Sequence, residues 1–280
     1  MIKLIADSTC DLTKEELAAW QISTLPLTIH FGQDSYRDGI DISKPEFYQR
    51  LGQAKELPTT SQIPPGEFED LYRQLLTEGD ELLVVTLASA LSATYESAVA
   101  AAKAVDAKRI HVVDSMSGSF GHALLMKHVV LLRDQGKLSA GEIAAQLRQI
   151  TPRLRLYAVV DTLKYLKMGG RLSGSAALIG GLLGIKPVVQ VQEGKVTSIA
   201  KVRGEKNVVK TLYELFNSAD PDLSFGYSFG NSEAKPLMQE AQRHFEQHLG
   251  QPAAVTTDLG AVIGTHVGPG VIGVGFFTKA

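Results

Sequence analysis

The feature that most constrains this chain is a regular alternation, between Lys3 and Ile150, of short β-branched runs with longer amphipathic helical patterns. Strand-like runs fall at Lys3–Ala6, Ile22–Phe31, Glu81–Leu87 and Arg109–Val113. Helical patterns occupy Thr13–Trp20, Pro45–Leu51, Gly66–Glu78, Leu91–Val105, Gly118–Asp134 and Ser139–Ile150. Parallel strands need a crossover that antiparallel hairpins do not, so this order predicts a parallel sheet covered by helices on both faces. Asp11-Leu12-Thr13 ahead of Lys14-Glu15-Glu16 is a capped helix start with acidic residues in the first turn. Thr151-Pro152 closes the pattern, because proline disfavours helix in the residue before it.

The second half changes character. Leu154–Val160, Ile185–Val191, Val196–Val202, Leu223–Phe229, Ala253–Thr257 and Val271–Thr278 read as strands, with helices at Glu205–Asn217 and Ser232–Leu249. Gln192-Glu193-Gly194-Lys195 is a hairpin signal. Fewer crossovers predict a mixed sheet and a second, α+β domain. The expected division is residues 1–152 and 153–280, and 280 residues suit two domains.

Bulk properties exclude several functions. A formal charge of −2 and a pI near 6.4 give no general attraction for nucleic acid or an anionic membrane, so any anion site is local. Cys10, the single cysteine, leaves no intrachain disulfide or cysteine-built zinc site. No metal spacing or cofactor motif appears. Met1–Asp7 runs into a strand without a signal-peptide pattern, and no stretch approaches the roughly 18 apolar residues of a membrane span. The expectation is a cytoplasmic protein.

Ligands of open parallel sheets sit beyond the carboxyl ends of the strands, near helix N-termini. Here Asp7-Ser8-Thr9, Ser89 to Thr94 and Asp114-Ser115 end strands, and Thr59-Thr60-Ser61-Gln62 precedes Pro64-Pro65. Each cluster serves equally as N-caps and turns; their repetition at one sheet edge also suits an oxyanion-binding rim. The second half adds Gly169-Gly170-Arg171-Leu172-Ser173 and Gly264-Thr265-His266-Val267-Gly268-Pro269-Gly270. Between them Ala176–Ile185 is small and apolar, either a buried helix or the wall of an apolar tunnel.

Gly268-Pro269-Gly270-Val271-Ile272-Gly273 matches a dinucleotide fingerprint by letters but precedes a strand, with no helix to follow. Gly226-Tyr227-Ser228-Phe229-Gly230 matches a nucleophile elbow, with Asp258 and His266 later in hydrolase order. A serine hydrolase of lipid esters using Ser228 and His266 is therefore an alternative. It lacks an oxyanion-loop motif, and the elbow falls late in the chain. A non-lipid small-molecule binding module is the other alternative.

Taken in order, these segments resemble the DegV family, bacterial fatty-acid-binding proteins that serve as the acyl-carrying subunit of fatty acid kinase. The resemblance spans essentially the whole chain. It rests on Asp7-Ser8-Thr9-Cys10-Asp11-Leu12, Thr60-Ser61-Gln62 with Gly66-Glu67-Phe68, and Leu91-Ser92-Ala93-Thr94-Tyr95-Glu96-Ser97-Ala98. Val113-Asp114-Ser115, Gly169-Gly170-Arg171-Leu172-Ser173 and His266-Val267-Gly268-Pro269-Gly270 complete it. It implies a Rossmann-like N-terminal domain, a smaller α+β domain closing over a lipid site, and a bound long-chain fatty acid without cofactor, metal or catalytic residue. It implies that Thr60, Ser61 and Ser92 hydrogen-bond the carboxylate, with His266 and Arg171 shaping the charge at the mouth. Ser115 and Arg203 become secondary ligand or partner contacts, Arg203 at a position implicated in docking the kinase catalytic subunit. Transient contact with a membrane surface fits such a carrier. The chain departs from the family pattern at Ile63, Pro64 and Ala93, where a further hydroxyl and a glycine are usual.

Overall fold

The computed structural model describes residues 1–174 and 184–280. Most of the apolar segment Ala176–Ile185 lies outside these residues. The first half contains β1 (Ile2–Asp7), α1 (Lys14–Ala19), β2 (Ile22–Leu25), β3 (Thr28–Phe31), β4 (Asp34–Arg37), α2 (Lys44–Gln53) and β5 (Thr59–Ser61). It continues with α3 (Pro65–Leu75), β6 (Glu81–Thr86), α4 (Thr94–Val105), β7 (Ile110–Asp114), α5 (Ser119–Asp134) and α6 (Ala140–Ile150). The second half contains β8 (Leu154–Val159), α7 (Lys164–Met168), β9 (Ile185–Gln192), β10 (Lys195–Arg203), α8 (Val208–Ser218) and β11 (Tyr227–Ser232). Then come α9 (Lys235–Leu249), β12 (Val255–Asp258), α10 (Ala261–Val267) and β13 (Val271–Phe277).

The expected parallel sheet is present, in the order β2-β1-β6-β7. Its strands alternate between two cores. Leu4, Ala6, Leu83 and Val85 face α5 and α6, while Ile5, Leu82 and Val84 face α3 and α4. The chain leaves β1 to one side for β2 and returns on the other for β6. That reversal opens a crevice beyond the ends of β1 and β6, where α/β sheets bind ligands.

The mixed sheet runs β10-β9-β8-β13-β11-β12. Tyr157, Val159, Val188, Tyr227, Phe229 and Val274 pack against Leu212 and Phe216 of α8 and Phe245 of α9. The opposite face looks toward α5, so the layers run helices, sheet, helices, sheet, helices. The hairpin signal forms as expected: Gln192 pairs with Lys195, and Glu193 and Gly194 both take positive φ (49° and 73°), as a two-residue primed turn requires.

Three readings change. Leu223–Phe229 is not one strand, since Leu223–Phe225 forms a 3-10 turn and β11 begins at Tyr227. Ile22–Phe31 is not one strand: it breaks at Pro26, with β2 in the parallel sheet and β3 in a separate antiparallel sheet ordered β4-β3-β5. Proline has no N–H to continue the ladder. His266, expected between glycine turns in Gly264–Gly270, lies instead on the helix α10, packed on α2, α7, β3 and β5. Among the described residues no helix is long and apolar enough to cross a membrane.

Candidate functional site

A cavity of about 400 Å³ lies where the parallel sheet, α10 and the mixed sheet meet. Its walls are mostly aliphatic. Leu156, Ala158 and Val160 recur at the two-residue period of β8 and its end, and Val189 and Val191 repeat it on β9. One face of each strand therefore lines the cavity, while Tyr157, Val159 and Val188 serve the core behind. Val262, Ile263, His266 and Val267 bring one face of α10 to the opposite wall.

The polar groups concentrate at one end. Thr60, on β5, shares a hydrogen bond of 2.9 Å between its Oγ1 and Nε2 of His266. The other ring nitrogen, Nδ1, is buried and has no partner among the described residues. Gly169 closes over it: a Cβ there would stand 2.3 Å from Nδ1, so only glycine lets the end of α7 come this near. Burial, reinforced by the nearby Arg171 charge, pushes the His266 imidazole down to about 4, and it is neutral at neutral pH.

Arg171 also lines the cavity. Its Nε donates to the Leu91 carbonyl at 3.1 Å and its Nη1 to the Gly169 carbonyl at 2.5 Å. Backbone carbonyls thus hold the guanidinium without neutralising it. Ser92 joins from the loop after β6, its Oγ 3.0 Å from that of Thr94 at the start of α4. The N-terminus of α4 adds the positive end of a helix dipole. A half-buried guanidinium, a helix N-terminus, two hydroxyls and a neutral imidazole at one end of an apolar cavity suit an amphiphile with a small anionic head.

Thr60, Ser61, Ser92, Arg171 and His266 all line this cavity, although they come from four separate segments. Ser61 differs in orientation. Successive strand residues point to opposite faces, and its Oγ lies 2.5 Å from Nε2 of His30 on the outer face of the three-stranded sheet. Ser115 and Arg203 do not reach the lining. The Ser115 hydroxyl is buried and donates to the Ser117 carbonyl at 3.0 Å. Arg203 is exposed at the end of β10 on the mixed sheet's edge.

The remaining hydroxyl clusters tie loops together. Asp7 accepts from Thr9 and from the Leu87 N–H at 2.7 Å, Ser8 donates to Asp38 at 3.0 Å, and Ser89 donates to Asp114 at 2.5 Å. The departures at Ile63, Pro64 and Ala93 fit locally. Ile63 is core, Pro64 caps α3, and Ala93 takes φ −74°, a value that needs no glycine.

Ser119, which opens α5, also lines the cavity and was not singled out from the sequence. Its hydroxyl donates to Asp11 at 2.5 Å, and Asp11 accepts the Gly260 N–H at 2.9 Å. Small residues after a strand, Ser115-Met116-Ser117-Gly118-Ser119, were its only signal. Beyond Asp11 lies a second pocket of about 540 Å³ whose lining includes Ser8, Asp38 and Lys44. Ser228 is fully buried within β11 and donates to the Gly275 carbonyl at 3.3 Å. A nucleophile elbow instead sets its serine on the turn after the strand.

A family model described as "Uncharacterised protein, DegV family" matches residues 1–279. A DegV domain-containing protein of Caldanaerobacter subterraneus is 33% identical over 279 residues, 99% of either chain. A DegV family protein from Thermus thermophilus, described by its fatty acid binding, superposes with a TM-score of 0.88 at 30% identity, over 99% of each chain. A stearic acid-binding protein from Eubacterium ventriosum gives the same TM-score at 29% identity, covering 100% of this chain and 99% of its own.

Proposed function

Because this chain belongs to the DegV family, we propose that it is a fatty-acid carrier that holds the acyl carboxylate at the Thr60–Ser92–Arg171–His266 end of the cavity. One observation carries the reading: the cavity wall is mostly aliphatic, and Arg171 lies at one end of it together with Thr60, Ser92 and His266. An acyl tail gains on the order of 0.8 kcal/mol per buried methylene. A dozen methylenes then contribute roughly 10 kcal/mol against an association cost of several kcal/mol. The head group needs only orientation, which Thr60, Ser92 and Arg171 supply. Ser61, whose hydroxyl is engaged by His30, is not one of the side chains that hold the head group in this proposal.

A carboxylate held this way keeps an oxygen for reaction. In the proposed cycle the carrier presents it to a separate kinase catalytic subunit. That oxygen attacks the terminal phosphoryl group of the kinase's nucleotide, the bond to the diphosphate breaks, and an acyl phosphate forms. Arg203, exposed at the end of β10, belongs to the partner-facing side of this proposal, whereas the buried Ser115 only ties the loop before α5; the work is cytoplasmic with transient contact at a membrane surface. In this reading residues 1–152 and 153–280 each supply part of the wall around the acyl chain.

Denaturing mass spectrometry of protein purified gently from bacterial cells tests the carrier. Bound C14–C20 acids are the expected result, and their repeated absence would overturn it. Mixing loaded protein with the kinase subunit and ATP, then trapping with hydroxylamine, should give the acyl hydroxamate. A serine hydrolase using Ser228 and His266 would instead cleave a chromogenic ester and lose that activity in Ser228→Ala.

A further inference from the structure

We propose that Phe120 sets how long an acyl chain the cavity accepts, and that three glycines of the mixed sheet hold its ring in that place. The inference rests on the carrier reading and assigns a specificity residue within it. Phe120 lines the cavity and is 3% exposed. It stands at the end away from the head group, as α10 shows. His266 marks the C-terminal end of that helix, among Thr60 and Arg171. Gly260 marks the other, joined through Asp11 to Ser119, the residue before Phe120. Seven residues at 1.5 Å each set the two ends about 10 Å apart.

The ring is clamped from behind. A Cβ on Gly230 would lie 2.0, 2.7 and 2.7 Å from three atoms of the Phe120 ring, and those are its three nearest neighbours. On Gly273 a Cβ would come within 2.6 Å of Cζ, and on Gly275 within 3.1 Å of Cδ2. These glycines lie in paired register on β11 and β13, Gly230 opposite Gly273, so their bare backbones form a trough as wide as an aromatic ring. None of the three has a positive φ, so backbone conformation does not call for glycine there. At Gly230 closeness to Phe120 alone does; at Gly273 the Tyr157 carbonyl at 2.8 Å, and at Gly275 the Ser228 hydroxyl at 2.7 Å, crowd a Cβ as well. The trough fixes the ring as a rigid stop, and the only volume it can yield is cavity volume.

The test compares binding of saturated C14, C16, C18 and C20 acids to delipidated protein, by competition under native mass spectrometry. Each methylene that gains burial is worth about fourfold in affinity. Phe120→Ala should move the preferred length up by two carbons and raise the affinity ratio of the longer acid to the shorter by roughly 15-fold. Phe120→Leu, a milder change in the same core, should shift it the same way by less. Gly230→Ala should do the reverse, pushing the ring inward and favouring shorter acids. In the Phe120→Ala background it should have little further effect, since the clash is gone. Equal weakening at every length, or unchanged ratios in both Phe120 variants, would overturn the inference while leaving the carrier reading intact. A wild-type protein that binds none of the four acids would overturn both.

Discussion

Arg171 is the side chain on which the head group depends most. Its hydrogen bonds go to the carbonyls of Leu91 and Gly169, so its charge stays uncompensated by carboxylates there. Hydrogen bonds to charged groups contribute about 1.5–3 kcal/mol, so Arg171→Gln should weaken fatty-acid binding roughly 10- to 100-fold. Ser92→Ala, which removes a neutral hydroxyl, should cost about fivefold. Isothermal titration with one acid measures both, and equal effects would contradict this division of labour. His266 contributes without charge. Its ring should titrate near pH 4 by NMR rather than near 6.5, and binding should show no histidine inflection between pH 6 and 8. The residues of this site were legible as hydroxyl clusters at strand ends and as Arg171 and His266 beside glycines, and the family resemblance gave them their roles. Their directions were not legible. Thr60 and Ser61 are adjacent letters with opposite faces, and only pairing with β3 reveals that His30 takes one hydroxyl and His266 the other.

The helix α10 shows how one element holds the site and why it escaped the sequence. Glycines at 260, 264 and 268 suggest turns, yet Gly264 is in mid-helix, where a Cβ would lie 2.6 Å from Phe47 and 2.7 Å from the Tyr48 hydroxyl. Packing, not propensity, sets that residue. β4 and β5 were missed for a related reason: Asp34–Arg37 and Thr59–Ser61 are short and polar, with no apolar period to read. The strong alternations and the capped start at Thr13 were visible because both signals are local. The start of α10 is fastened by two buried carboxyls, Asp11 on Gly260 N–H and Asp38 on Ala261 N–H at 3.2 Å. Around them stand Lys44, Ser8, Ser119 and Tyr48. Burial raises Asp11 to about 7 and Asp38 to about 6, against opposing contributions from Lys44 and their hydrogen-bond donors. Both groups therefore bind protons more tightly folded than unfolded, and their contribution to stability falls as pH rises from about 4 to 7. His266 works oppositely over most of that window, from about 4 to 6.5, since its folded value lies below its unfolded one. Asp38→Asn removes one falling contribution while its amide oxygen can still accept from Ala261. Its melting temperature relative to wild type should climb between pH 5 and 7.5 in calorimetry; a flat or falling difference would refute this account of the clamp.

Across the molecule the two sheets do not keep separate interiors. One cluster joins Leu4, Ala6 and Leu83 of the parallel sheet to Leu154, Leu156, Val189 and Phe277 of the mixed sheet, through Phe120, Leu124 and Val129 of α5. The change of sequence character near residue 152 marks a change of sheet, but the core passes across it. Composition could not show this, because α5 reads simply as the last helices of the first half do, apolar on most of its circumference. Its buried residues include Phe120, Ala123, Leu124, Leu125, Met126, Val129 and Val130, more than one sheet needs to be covered. Residues 1–152 alone would leave the mixed-sheet side of α5 in water, and that fragment should show helical far-UV signal without the dispersed NMR spectrum of the whole chain. The intact protein should unfold in one transition for the same reason. The cavity sits on this shared core, so a ligand that fills it stabilises both sheets at once. At a free acid concentration 100 times the Kd, binding adds about 2.7 kcal/mol. For a chain of this length that raises the melting temperature by roughly 5 °C. If the lower-melting part of a two-step transition moved while the other stood still, the acid would be held by one sheet alone. A single transition that moves as a whole is what a cavity built from Leu27, Leu87, Val189 and Val271 together requires.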